Sequence, residues 1–247
     1  MEHSKQNHSR IIINYNYDEG LRRYMMRVYG YMSGALAVTA VASILVVTSE
    51  TITNIIYIVL GDEVIGLSAF GWFLSVVPII IALTFIGLRS ISHVLAQILF
   101  WSYSVTLGLS LSSLLFLYTG ESVVRIFLIA TAVFGCMSIY GYSTKKDLTD
   151  LGAFLFMGLI GIMVALIVNI VLKSTGLEFG LSIISVFIFV GLTVYDTQKI
   201  KDIYLKGWDT GGALGGKLAI IGALNLYLDF INIFVHLLRL FGERREK

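Results

Sequence analysis

Apolar positions in this chain do not alternate with polar ones. They gather in seven long runs, at roughly 27–48, 69–88, 94–118, 123–142, 151–172, 180–200 and 218–240. Each run is near the ~20 residues that a helix needs to cross a hydrocarbon core. The pattern predicts an all-α, polytopic membrane protein of seven transmembrane helices joined by short loops. A single membrane domain is expected over 21–242, after a polar and unstructured tail at 1–20 and before a charged tail at 243–247. The stretch TITNIIYIVLGDEVIG (51–66) starts apolar but is broken by Asp62 and Glu63. It reads as an external loop or a short interfacial helix. Pro78 falls inside the second run and predicts a kink that frees a carbonyl, which must find another partner. No internal repeat of the kind seen in many secondary transporters is visible.

The polar positions inside the runs carry the candidate chemistry. Asp196 lies in FVGLTVYDTQKI, toward the C-terminal end of the sixth run, and Asp229 near the middle of the seventh. A carboxylate at membrane depth is expensive and faces a cavity or a partner. Asn225, Asp229, Asn232 and His236 are spaced 4, 3 and 4 apart, so they share one helix face that lipid cannot cover. The glycine-rich GWDTGGALGG lies between the two aspartates, so an antiparallel hairpin brings them to similar depth. Two carboxylates so placed in low dielectric cannot both ionise cheaply and share a proton. They can hold a hard cation such as Ca²⁺ or act as a proton-sensitive latch. The plainer alternative is that each one hydrogen-bonds a neighbouring helix. For His236 alone, packing at the membrane boundary is the simpler reading. Arg89, at the end of the second run, either snorkels to headgroups or pairs with Asp196 and closes an inner gate. Thr106, Ser110 and Ser113, like Gly158 and Gly161, suggest close helix packing.

Composition agrees with a membrane chain. Hydrophobic residues make up 57% and charged residues 14%, and mean hydropathy is +0.84. A net charge of +2 gives no electrostatic case for nucleic acid. The single Cys136 cannot form an internal disulfide. The first 20 residues lack the apolar core of a signal peptide, so the N-terminus is expected to stay on the side of synthesis. Lys and Arg support this: with the N-terminus inside, twelve fall on inner segments and only Arg125 and Lys173 on outer loops. The basic tail (Arg239, Arg244, Arg245, Lys247) breaks the rule, and the seventh run either crosses fully or dips in and returns. No phosphate loop, metal-spaced Cys/His cluster or GxSxG site is found, so neither an enzyme nor a cofactor is expected.

GALNLYLDFINIFVHLLRLFG closely resembles the C-terminal signature of the Bax inhibitor-1 family. VYDTQKI and STKKDLTDLG resemble its other recurrent pieces, and YDEGLRRYMMRVYGYM is similar to bacterial members. The resemblance covers the chain after about residue 15. It implies a seven-helix fold with the last helix central and a pH-sensitive Ca²⁺ leak whose sensor aspartates match Asp196 and Asp229. Arg89 is the nearest match to an arginine that pairs with the sensor in some members. Others carry an acid within the second span, where SVVPIIIALTF here has none. Residence in a bacterial inner membrane, N-terminus cytoplasmic, is expected. Some relatives associate with a membrane protease and its regulators, so a non-conducting regulatory partner is the alternative. An intramembrane aspartyl protease is more remote: Tyr195–Asp196 fits its YD half, but LYLD at 226–229 replaces GxGD.

Overall fold

The computed structural model describes residues 2–60, 63–87, 92–206 and 212–245. These form α1 (Glu2–Thr48), α2 (Glu50–Ile56), β1 (Tyr57–Leu60), β2 (Glu63–Leu67), α3 (Ala69–Gly87), α4 (His93–Leu117), α5 (Gly120–Ser143), α6 (Thr149–Leu172), α7 (Thr175–Leu205) and α8 (Gly212–Phe241). Among the described residues, six helices are long and apolar enough to cross a membrane, in α1, α4, α5, α6, α7 and α8. The seven apolar runs each correspond to one of α1 and α3 to α8. α1 begins at Glu2, so the polar stretch for which an unstructured tail is expected lies within the helix's bounds.

The helices stand side by side, and two ends of the bundle can be told apart. At one end, here the near face, Tyr24 of α1 stacks on Tyr204 of α7 with ring centres 5.8 Å apart. At the same end Gln198 of α7 clamps the turn before α6: its Oε1 accepts from Leu148 N at 3.1 Å and its Nε2 donates to Lys146 O at 2.7 Å. At the far face, α8 ends beside the turn between α4 and α5. Thr119 N donates to Glu243 O at 3.0 Å, Glu243 N to Ser122 Oγ at 2.9 Å, and Arg245 N to Leu117 O at 3.0 Å. An Arg125–Glu243 ion pair of 2.7 Å closes the strap. α8 therefore runs the length of the bundle and does not turn back. It packs on α1, α4, α5 and α7. The buried share of its apolar window is 67%, against 11% for α6, which rests mainly on α7.

Small residues permit the closest approaches. A side chain at Gly108 would meet the backbone of Thr39 and Cβ of Ala42, and one at Gly141 would meet Val194 O. Gly158 packs under Ile188 of α7, whereas Gly161 faces open space. Thr106, Ser110 and Ser113 donate to carbonyls of their own helix, which satisfies hydroxyls in an apolar setting. Ser110 Oγ also reaches Leu74 O at 3.5 Å. Leu74 is four residues before Pro78, so this long contact meets the carbonyl that the proline leaves free.

The stretch 51–66 is neither a plain loop nor only a short helix. α2 is followed by an antiparallel hairpin in which Tyr57 pairs with Leu67 and Leu60 with Glu63, with a register shift between Ile58 and Val59. Alternating β-branched residues on either side of Gly61–Asp62 are a hairpin signal. The Tyr57 hydroxyl shares a 2.9 Å hydrogen bond with that of Ser112, which seats the hairpin on α4.

Gln198→Ala is expected to lower stability by about 1–3 kcal/mol, because it strands a buried backbone donor and an acceptor. Thermal unfolding in detergent tests this, and an unchanged melting temperature would rule out the clamp.

Candidate functional site

α7 and α8 are antiparallel, and one contact sets their register. Phe189 of α7 stacks on His236 of α8 with ring centres 6.2 Å apart. Asp196 is seven residues after Phe189, and Asp229 is seven residues before His236. Seven residues are about two helical turns, so each aspartate shares a face with its ring. The register that stacks the rings therefore brings the carboxylates level. The two charges lie close enough to act on each other. Asp196 is half-buried and Asp229 is 4% exposed.

Their surroundings differ. Asp196 also feels the charge of Lys199, one turn further toward the near face. The Lys199 ammonium in turn lies 5.5 Å from the centre of the Tyr195 ring. Among the described residues, Asp229 Oδ2 is buried and has no hydrogen-bond partner. The same is true of His236 Nδ1 and Ser185 Oγ. These three atoms belong to the α7–α8 pair, and His236 and Ser185 lie between the aspartates and the far face. Buried polar atoms without partners are rare, and each one is a place for a water or an ion.

The rest of the polar stripe is less exceptional. Asn232 Nδ2 donates to Leu228 O of its own helix at 2.8 Å and is half-buried, as is Asn225. His236, for which boundary packing is the simpler expectation, lies inside the bundle at 5% exposure. α7 covers it, because α8 continues to Phe241. Arg89 falls outside the described residues. No group of three or more His, Cys, Asp or Glu gathers among the described residues.

Several polar contacts around the site carry no sequence motif. Tyr29 and Ser138 hydroxyls lie 2.5 Å apart, and Ser138 reaches Thr197 at 3.1 Å, which ties α1, α5 and α7 together beside Asp196. Thr39 bonds the Tyr227 hydroxyl at 2.6 Å and donates to Ser104 O at 3.0 Å, which ties α1, α4 and α8. These partners are far apart in sequence, and single hydroxyls in apolar runs have no distinguishing spacing.

A bundle of apolar helices that buries a level pair of acids defines an integral membrane protein with polar chemistry inside its core. Within that class, the chain belongs to the Bax inhibitor-1 family: the family described as Inhibitor of apoptosis-promoting Bax1 matches residues 21–246. Its relatives include the inner membrane protein YbhL of Escherichia coli (strain K12), 40% identical over 228 residues, which are 92% of this chain and 94% of the relative. An uncharacterized protein of Rickettsia prowazekii (strain Madrid E) is 46% identical over 235 residues, 94% of each chain. Another uncharacterized protein, of Caulobacter vibrioides, is 37% identical over 232 residues, 93% of this chain and 92% of the relative.

The unpartnered oxygen of Asp229 has a measurable consequence. Ionised and buried, it costs solvation that no hydrogen bond returns. Asp229→Asn is expected to fold and, at pH 8, to melt a few degrees above the natural chain. A lower melting temperature would mean that the carboxylate has partners in the folded state.

Proposed function

We propose that the protein is a cation leak of a bacterial inner membrane, conducting Ca²⁺ and gated by protonation of Asp196 and Asp229. The observation that carries this is the level acid pair, continued toward the far face by the unpartnered His236 Nδ1 and Ser185 Oγ. In this reading α3 crosses as a seventh span, and α8 is the axis against which the others are arranged. The N-terminus and near face are cytoplasmic, in line with the placement of Lys and Arg and with the name of the Escherichia coli relative. Arg89 is assigned as the closing partner of Asp196. Ca²⁺ takes six to eight oxygen ligands, so two carboxylates make a transit site and not a store.

Protonation opens or closes such a site by charge. Neutral acids give up the ion and leave Arg89 without its partner, whereas a shared proton leaves one charge to hold either. One pKa unit supplies about 1.4 kcal/mol, and throwing a two-state gate from 1:99 to 99:1 takes about 5.5 kcal/mol. A graded pH response is therefore expected. A proteolytic pair finds less support: the neighbours Leu226 and Tyr227 are fully buried, where a protease needs glycine to admit substrate backbone. The regulatory-partner reading has one feature in its favour, the exposed face of α6, and co-purification of a membrane protease with a flux-inactive chain would establish it.

The test is Ca²⁺ flux into proteoliposomes across a pH series. Asp196→Asn is expected to flatten the pH dependence, and a pH profile unchanged from the natural chain would discard the sensor. His236→Phe is expected to lower flux severalfold and leave the pH midpoint in place, because it removes polarity from the far half of the path without touching the acids. Equal flux in that variant would show that ions do not pass between α7 and α8.

A further inference from the structure

The helices around α8 leave a seam. α4 packs on α1, and α5 on α7, while α1 and α5 each pack on α8 and approach each other closely only where Tyr29 meets Ser138. At the near face this seam widens into a trough of about 480 Å³, within the ~300–1,000 Å³ of ordinary ligand sites. One wall is a single face of α1, with Arg22, Met25, Met26 and Tyr29. The other is the last three turns of α5, including Phe134, Gly135 and Ile139.

Three observations say what lies there. First, the trough is apolar along its length, and its two central hydroxyls, Tyr29 and Ser138, are already bonded to each other at 2.5 Å. It offers an occupant hydrocarbon contact and no free polar partner in its middle. Second, its mouth at the near face holds the exposed side chain of Arg22, whereas its neighbour Arg23 is engaged by Glu19. An arginine at the rim of an apolar trough between membrane helices matches a phosphate, which it can bind bidentately. Third, Gly135 makes the room: a Cβ there would meet nothing within 4 Å, so the space is not closed by a neighbouring helix. A second copy of the chain fits less well. Related by a two-fold axis along the membrane normal, it would bring another Arg22 to the same depth.

We infer that the trough between α1 and α5 is a binding site for an anionic phospholipid, with its phosphate on Arg22 and an acyl chain laid along Met25, Met26, Phe134 and Ile139 over Gly135. The two methionines suit a ligand of variable chain length, because their unbranched side chains repack at little cost. The site does not depend on ion conduction, and it would be occupied whether or not the acid pair gates a leak.

The test uses the full chain purified in mild detergent, with retained lipid read by native mass spectrometry after exposure to an equimolar mixture of phosphatidylglycerol and phosphatidylethanolamine. The natural chain is expected to retain one phosphatidylglycerol in preference to phosphatidylethanolamine. Arg22→Gln, an exposed change that leaves the core intact, is expected to reduce that preference roughly tenfold. Gly135→Leu, which fills the trough and keeps the cation, is expected to lose retention of both lipids. Wild-type preference in Arg22→Gln, or wild-type retention in Gly135→Leu, would overturn the assignment. So would a dimer in the natural chain that Gly135→Leu dissociates, since the occupant would then be a second copy.

Discussion

Hydrocarbon can solvate neither a charge nor an unpaired polar group, and α8 carries Asn225, Asp229, Asn232 and His236 on one face within its apolar run. Its Asn, Asp and His stripe has to be covered by protein. The antiparallel contact with α7 does this, and Phe189 on His236 fixes its phase. The remaining architecture follows from that cover. α1, α4 and α5 complete the enclosure, and glycine at 108 and 141 lets helices close on one another without a gap for lipid. α6, which carries no acid deep in its run and has the most apolar window, is free to face outward.

Polar groups in the bundle fall into two populations. Most hydroxyls are satisfied cheaply, either by carbonyls one turn back, as for Ser104 and Thr193, or by a hydroxyl on a facing helix, as for Tyr29 with Ser138 and Tyr57 with Ser112. These contacts hold helices in register and are complete as they stand. The second population is left incomplete: Asp229 Oδ2, His236 Nδ1 and Ser185 Oγ all belong to the α7–α8 pair. A fold that satisfies hydroxyls so readily elsewhere concentrates its unmet hydrogen-bonding capacity where the acids lie. The Tyr24 hydroxyl is a fourth unmet group, on α1 near Tyr204 and apart from that helix pair.

Much of this was readable in residues taken in order. Long apolar runs report length and lipid exposure directly, so the helices could be placed to within a few residues. The facing of Asp229 followed from the 4, 3, 4 spacing of its stripe, which only a covered helix face can accommodate. The proline carbonyl was legible too, because losing an N–H at 78 has a defined consequence four residues earlier. The hairpin within 57–67 is hard to see in the sequence, since a short β-branched run next to an apolar helix looks like more of the same. Gln198 as a clamp, the Thr39–Tyr227 bond and the strap onto the α4–α5 turn depend on partners dozens of residues away. Such pairings exist only once the helices are assembled. Whether the basic tail ends across the bundle from the near face could be answered only by the backbone bonds of residues 242–245.

That strap bears on how the chain can change over evolutionary time. Glu243 is moored to the α4–α5 turn at one end, and fourteen residues earlier Asp229 must keep its bearing toward α7. Each residue of helix turns the chain by about 100°. An insertion or deletion of a single codon between these points would swing the acid toward lipid or tear the mooring, whereas substitutions along the outer surface of α6 leave both untouched. Relatives in this lineage should therefore tolerate drift in side-chain identity far better than drift in the length of that stretch.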